Sequence, residues 1–281
     1  MKKFCFLVQA RDDIKYFDKF KDENSDIFFL TFNKKIEKDN YIYFPKSTWT
    51  TGRNKLLEVF YKKDYYEYYV FLDDDIRIYE CGTRECGIER FKELLMKHKP
   101  CIGFPNYAWH LKQNMARFVI PAQKFESELS YPLRFDPCVS AFHHSIIETI
   151  LPYEPAFDKY NWWMSGEFLS HKIEQLVGNS IVQFNNIITI NEQSASYPQM
   201  GGVSFLRNKV VNWLTPQMLD SSSIVNLVPE DRIKQHEDFS DFENIKIKSL
   251  SDVFKAESYI IKNHAEFWGN NEHFNNDSLR Q

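Results

Sequence analysis

Three consecutive aspartates, Asp73, Asp74 and Asp75, end an apolar and aromatic run that begins at Tyr68. A run rich in Tyr, Val and Phe predicts a buried strand, and the carboxylates then lie at its carboxyl end, where open α/β sheets bind ligands. In an extended chain Asp73 and Asp75 project to one face and Asp74 to the other. Two carboxylates on one face favour Mg²⁺ or Mn²⁺, which take one or two protein carboxylates and complete their shell with phosphate oxygens and water. The triplet therefore predicts a metal-bridged phosphate substrate; the alternative is a solvated acidic turn after an edge strand.

A second group of candidate ligands, Thr51-Gly52-Arg53-Asn54, precedes the aspartates and opens a stretch with apolar residues at helical spacing up to Tyr61. Thr50 or Thr51 is the predicted N-cap, and the free N–H groups of such a helix start bind anions. Arg53 can add a charge-assisted contact to a diphosphate or a nucleobase. For this stretch in isolation, an ordinary capped helix with an exposed arginine is the alternative.

The elements that must position these groups alternate between strand and helix patterns, which predicts an α/β fold with a doubly wound, largely parallel sheet. A short helix is expected between the first two strands, and segment 111–137 can add antiparallel strands at the far side of the sheet. Strands are predicted over residues 4–8, 26–32, 41–44, 68–72, 101–104, 137–142 and 180–190, and helices over 55–61, 88–98, 145–151 and 165–177.

The chain of 281 residues is long enough for one large α/β domain with an appendage. We expect this domain over residues 1–216 and a helical extension with a poorly ordered end over residues 217–281. Loop composition over residues 191–202, with a proline and paired glycines, predicts a substrate loop.

The bulk composition excludes several classes of partner. A net charge of −4 gives no electrostatic footprint for nucleic acid or an acidic membrane surface. The first apolar run, from Phe4 to Val8, is too short for a secretory or membrane-spanning segment. Five cysteines, none in a C-x-x-C pair, predict free thiols rather than a zinc site. These features predict a cytoplasmic protein without an integral membrane segment.

In this order the features resemble a nucleotide-sugar-dependent glycosyltransferase of the GT-A type, over residues 4 to about 190. The resemblance rests on the first strand with its polar turn, the Thr51–Asn54 helix start, the Phe71-Leu72-Asp73-Asp74-Asp75 motif, and a distal element. That distal element combines Phe157-Asp158 with the stretch from Trp162 to Glu167. The resemblance implies a GT-A-like (Rossmann-like) mixed, mostly parallel sheet flanked by helices.

The resemblance also implies roles for the candidate residues. Asp75 and Asp73 would bind Mn²⁺ or Mg²⁺, Asp73 would also contact the ribose or nucleobase, and Asp74 would orient the donor sugar. Glu167 matches the position of the catalytic base, although a glutamate stabilised by the positive end of its own helix is the alternative. The implied nucleotide contacts are Gln9, Arg11, Arg53 and Asn54.

Acceptor binding and metal completion are the remaining expectations. Trp109, Trp162 and Trp163 can stack on sugar faces, although one or two of them can equally belong to the core. Related enzymes often supply a histidine after the last core strand as a further metal ligand, and residues 185–202 contain none. His236 and His264, in the predicted extension, are the candidates that could fold back.

The resulting prediction is transfer of a sugar from a nucleotide-diphosphate donor, a UDP-sugar first, to a hydroxyl of a glycan or small acceptor, with inversion if Glu167 is the base. A sugar nucleotidyltransferase is one rival, but residues 9–13 contain no glycine for a phosphate loop. A phosphatase with an aspartate nucleophile would normally begin with the acidic motif. A carbohydrate-binding protein that retains the fold without activity is the third alternative.

Overall fold

The structure is a computed structural model. It describes residues 2–80, 83, 85–107, 128–130, 137–158, 162, 165–166, 168–170, 173 and 181–191.

The described residues form nine strands, three α-helices and two short 3-10 helices, with further helical residues between Ser165 and Ile173. The strands are β1 (Lys2–Ala10), β2 (Ser25–Thr31), β3 (Tyr41–Tyr43), β4 (Tyr66–Asp73), β5 (Ile76–Glu80), β6 (Ile102–Tyr107), β7 (Leu129–Ser130), β8 (Val139–His143) and β9 (Ile181–Asn191). The α-helices are α1 (Trp49–Phe60), α2 (Ile88–His98) and α3 (His144–Ile150), and the 3-10 helices span Lys15–Phe20 and Pro155–Phe157.

One mixed sheet contains all nine strands, in the order β3-β2-β1-β4-β8-β6-β9-β5, with β7 beside β9. The amino-terminal half, β3 to β4, is parallel, as is the β6–β9 pair. Antiparallel pairing enters with β8, which lies between β4 and β6, and at the β9 edge with β5 and β7. The predicted mixed α/β sheet with flanking helices is confirmed.

Side-chain alternation along the strands produces a core on each face of the sheet. In β4, Val70 and Leu72 belong to one core, and Tyr69 and Phe71 belong to the other. Helix α2 packs on the first face, whereas α1 contributes Leu56 to the second. The face that contains Phe71 is therefore the one that α1 covers.

Three local predictions differ from the structure. The segment between β1 and β2 forms a 3-10 helix, whose Phe17 and Phe20 pack edge-on 5.3 Å apart inside the first core. Strand β6 continues to Tyr107 because it pairs with β9 beyond the predicted end at residue 104.

The third difference is the start of α1, which begins at Trp49 with Thr48 as its N-cap, rather than Thr50 or Thr51. The Thr48 hydroxyl accepts the N–H of Thr51 at 3.0 Å, and the Thr51 hydroxyl accepts the N–H of Thr48 at 2.8 Å. This reciprocal capping box satisfies two backbone donors at once, which favours Thr48 over its neighbours as the cap.

Several predictions fall partly or wholly outside the described residues. The described residues between Ser165 and Ile173 are helical, as expected for the first part of the 165–177 helix. Most of segment 111–137, the 191–202 loop except its first residue, and the 217–281 extension lie outside. Among the described residues no helix is long and apolar enough to cross a membrane.

Candidate active site

The carboxyl ends of β1 and β4 lie side by side under the start of α1. Gln9 is in register with Asp73 across the two strands. The Gln9 side chain is 8% exposed, and its amide nitrogen donates to the Thr48 carbonyl at 2.9 Å. A Cβ at Gly52 would lie 2.3 Å from the Gln9 amide nitrogen, so a side chain at this position would displace the Gln9 amide from its contact with Thr48. The acidic motif and the helix start predicted from sequence therefore meet at one sheet edge.

A buried arginine neutralises the first aspartate of the triplet. Arg53, in α1, is 1% exposed, and its guanidinium donates to Asp73 Oδ1 at 2.7 Å. Trp49 Nε1 donates to the same oxygen at 3.0 Å, and the guanidinium stacks 4.1 Å from the Trp49 ring. Burial lowers the pKa of Arg53, but Asp73 and Tyr153 raise it more, so the cation persists. Arg53 thus acts as the counter-ion of Asp73, and its guanidinium is turned toward the protein.

The loop after α3 closes this arrangement. The Asn54 side chain donates to the Tyr153 carbonyl and accepts the Tyr153 N–H, both at 2.8 Å. Both ends of its side-chain amide are therefore bound to the backbone of one residue. The other arm of the Arg53 guanidinium donates to the Tyr153 hydroxyl at 3.3 Å. The structure therefore uses Arg53 and Asn54, both expected at the nucleotide, to bind strand β4 and the Tyr153 loop to α1.

The second aspartate has a different partner. Asp74 Oδ2 accepts the backbone N–H of Arg11 at 2.9 Å and lies 3.4 Å from its Nε. The Arg11 side chain is 38% exposed, so it is more accessible than the buried Arg53. Asp74 and Asp75 form a turn because β4 ends at Asp73, so the strict alternation of faces predicted for an extended chain does not apply to the triplet.

Asp75 forms no ion pair within the described part of the chain. Burial and the neighbouring charges of Asp73 and Asp74 raise its pKa to about 7, against a weaker opposing effect of Arg11. Such a carboxylate, with two others adjacent, gains stability from any added cation. Among the described residues no group of three or more His, Cys, Asp or Glu side chains is arranged to hold a metal ion. The donor set of oxygen atoms nevertheless fits Mg²⁺ or Mn²⁺, which need few protein ligands when a phosphate completes the shell.

Asp158, in the distal element, is a nearly buried carboxylate at 9% exposure. It accepts hydrogen bonds from the hydroxyls of Thr48 and of Thr50, the latter at 2.5 Å, and the Ser165 hydroxyl, which donates to the Glu154 carbonyl, lies 3.4 Å from its Oδ1. Burial raises its pKa, the three hydroxyls lower it, and the net shift is upward. The distal element is thereby joined to the start of α1.

The other candidates are only partly described. Trp162 lies in a turn and is partly buried. Glu167, the predicted base, lies outside the described residues, as do Trp109, Trp163, His236 and His264. Their roles stay predictions.

The sequence did not predict the groups that position the site residues through contacts inside the protein. These are Trp49, Tyr153, Thr48 and the contacts of Asp158. A threonine three residues before Thr51 is a recognisable capping signal. The contacts of Tyr153 and Asp158 with α1 join residues about one hundred positions apart, and no local pattern reports them.

No protein-family model matches the sequence, and no curated protein matches it. Solved structures of S. aureus TarS residues 1–349 are similar in fold, with a TM-score of 0.44 and 13% identity over 91% of this chain and 81% of the TarS chain. The TarS complex with UDP-GlcNAc has a TM-score of 0.49 and 12% identity, over 92% of this chain and 81% of the TarS chain. The TarS complex with UDP has a TM-score of 0.45 and 12% identity, over 90% of this chain and 80% of the TarS chain. At these scores the likeness carries no argument about activity, which is inferred from the contacts of the site itself.

Replacing Arg53 with methionine should lower the free energy of unfolding by about 3 kcal/mol, because it removes one partner of a buried ion pair. Adding Asp73→Asn should recover part of this loss, since no unpaired charge then remains. Urea unfolding gives both values. Arg11→Met, at the more exposed pair with Asp74, is the control and should cost less than about 1 kcal/mol. Equal decreases in the free energy of unfolding for Arg53→Met and Arg11→Met would contradict the conclusion that the buried Arg53–Asp73 pair contributes more to stability.

Asp75→Asn should stabilise the metal-free protein in a pH-dependent way. The folded-state pKa of about 7 lies above the ordinary value of 3.8, so the ionised group destabilises the fold increasingly from about pH 4 to pH 7. In EDTA the gain of the variant over the wild type should therefore be near zero at pH 4. Above pH 7 it should reach roughly 2 kcal/mol, after a discount for partial exposure.

Asp74→Asn is the matched control for this measurement, because it also removes one negative charge of the triplet but loses the ion pair with Arg11, so it should give a smaller gain than Asp75→Asn. A variant Asp75→Asn that is no more stable than the wild type at pH 8 would show that the carboxylate is not destabilised by its neighbours.

Proposed function

We propose that the protein is a metal-dependent glycosyltransferase, which moves a sugar from a nucleotide-diphosphate donor, a UDP-sugar first, to a hydroxyl of a glycan or small acceptor. The observation that carries the proposal is the charge arrangement of the aspartate triplet at the carboxyl end of β4. Asp73 and Asp74 have arginine partners, whereas Asp75 has no ion-pair partner among the described residues and its ionised form is disfavoured by burial and by its neighbours. A divalent cation bridged to a diphosphate supplies the charge that this edge lacks.

The donor is placed by the groups around this edge. Asp75 and Asp73 are the residues that would hold the cation, which, when bound, offsets the charge that grows on the leaving diphosphate. Arg11 lies beside the triplet with a partly exposed guanidinium, suited to a phosphate oxygen. Gln9 lies directly beside Asp73 at the carboxyl end of β1, but its side chain is buried and donates to the Thr48 carbonyl, so its contact with the nucleoside remains part of the proposal.

Two donor-side predictions take a modified form. Arg53 and Asn54 support the nucleotide site by fixing Asp73 and the Tyr153 loop, instead of contacting the nucleotide. Asp74 orients the loop after β1 through the Arg11 backbone, and its assigned contact with the donor sugar remains part of the proposal.

In the transfer step Glu167 accepts the proton of the acceptor hydroxyl as its oxygen attacks the anomeric carbon. The bond from that carbon to the donor phosphate oxygen breaks, and the nucleoside diphosphate leaves with the electron pair. A single displacement of this kind inverts the anomeric configuration. Trp162, with Trp109 and Trp163, is assigned to stacking against the acceptor sugar.

The test is nucleotide release from UDP-, GDP- and CMP-sugars, with UDP-GlcNAc in the panel, in Mn²⁺ or in EDTA. We expect metal-dependent turnover of one donor, lost at least a hundredfold in Asp75→Ala. Glu167→Gln should lower transfer by about 100-fold to 10,000-fold, as for loss of a general base, while nucleotide affinity changes less than about threefold.

Asp39→Ala, at an exposed carboxylate that makes none of the contacts described for the site, is the control and should match the wild type. The anomeric configuration of the product, read by NMR, should be inverted. No turnover together with no metal-dependent nucleotide binding would overturn the proposal and favour a carbohydrate-binding protein without activity.

A further inference from the structure

Asp158 joins two parts of the chain that the proposed reaction needs together. Its Oδ1 accepts the Thr50 hydroxyl at 2.5 Å, and its Oδ2 accepts the Thr48 hydroxyl. Ser165 Oγ lies 3.4 Å from Oδ1 and also donates to the Glu154 carbonyl. One nearly buried carboxylate therefore contacts the first turn of α1 and Ser165, the first of the helical residues described between positions 165 and 173.

The first turn of α1 receives its nearest negative charge among the described contacts from this carboxylate. It contains no acidic residue, although the amino end of a helix favours negative charge. Asp158 supplies that charge from 108 residues after Thr50. The Thr48 hydroxyl donates to Asp158 while it accepts the Thr51 N–H, so the capping box is extended into a tertiary contact.

The segment that contains Asp158 holds α1 at a second point, one turn further along. There Asn54 binds the backbone of Tyr153 through two hydrogen bonds, and Arg53 reaches the Tyr153 hydroxyl. Arg53 also donates a hydrogen bond to Asp73. A displacement of α1 would therefore disturb the position of Asp73, which the proposed function assigns to the nucleotide-sugar donor.

The helical residues described after Asp158 are packed tightly against the rest of the protein. Ser165 is fully buried, and a Cβ at Gly166 would lie 3.0 Å from the Pro137 ring. Leu169 and Ile173 pack in the same core as Phe71 of β4. This segment includes the position of Glu167, two residues after Ser165.

We propose that Asp158 is a positioning residue, which holds α1 and the 165–173 segment in one arrangement and so aligns the donor carboxylates with the base. The inference rests on the proposed function, because the base belongs to it. Asparagine at this position keeps the shape but presents an NH₂ donor in place of one oxygen. Asparagine can therefore accept a hydroxyl on only one side. It also places no negative charge at the start of the helix.

The experiment compares Asp158→Asn, Thr50→Val and the double variant with the wild type in the donor turnover assay. Kd for UDP with Mn²⁺, KM for the donor and the urea unfolding midpoint are measured in parallel. We expect kcat to fall on the order of tenfold to a hundredfold in Asp158→Asn, because misplaced reacting groups lose rate rather than affinity. Kd and KM should change less than about threefold. The double variant should lose little more than Asp158→Asn alone, since both changes remove the same contact.

Glu128→Gln is the matched control for a general loss of stability. Glu128 is also a carboxylate that joins distant elements, through Arg90, Lys97 and His98, and none of these residues contacts the aspartate triplet. Glu128→Gln should lower the unfolding midpoint while kcat stays within about twofold.

Two results would overturn the role of Asp158. If the wild type turns over the donor and Asp158→Asn changes kcat no more than Glu128→Gln does, Asp158 contributes stability alone, and the proposed function stands. A wild type without any turnover would overturn the proposed function, and the role of Asp158 with it.

Discussion

The ion pair between Arg53 and Asp73 is the contact on which the rest of the site depends. The guanidinium is 1% exposed and 2.7 Å from the carboxylate, and it lies between the first helix and the end of the central strand. A buried cation is costly unless it is paired: Asp73 and Tyr153 accept from its two terminal nitrogens and Trp49 covers one face, whereas its Nε is buried without a hydrogen-bond partner in the described part of the chain. The position of α1, the direction of Asp73 and the path of the Tyr153 loop are therefore set together.

Three adjacent residues of one type acquire three different environments from this arrangement. Asp73 is neutralised from the protein side, Asp74 receives the backbone of Arg11, and Asp75 has neither partner. Burial, together with the negative charges of Asp73 and Asp74, raises the pKa of Asp75 to about 7, so the ionised form of this carboxyl is disfavoured. In the proposed transferase a cation with a diphosphate would complete this edge and favour the ionised form of Asp75, which is the physical basis of the proposed metal requirement.

The apolar runs were sufficient to predict most strands and the α2 helix, since a buried strand or an amphipathic helix leaves a local pattern. They also placed the acidic motif at a strand end, where the structure has it. The direction of Arg53 could not be predicted, because an arginine at a helix start serves a ligand or a neighbouring strand equally well in sequence. The contact of Asp158 with Thr50 spans 108 residues, and only the folded chain reveals that the distal acid closes the first helix.

The most direct test of the central claim is a titration of Mn²⁺ followed by electron paramagnetic resonance, with and without UDP. Because Asp75 and Asp73 are too few ligands to fill a shell, the account predicts weak binding of Mn²⁺ alone. It predicts affinity at least tenfold higher with UDP, and loss of this gain in Asp75→Ala. Binding of UDP that is indifferent to Mn²⁺, or a gain that persists in Asp75→Ala, would contradict a metal-bridged diphosphate at this strand end.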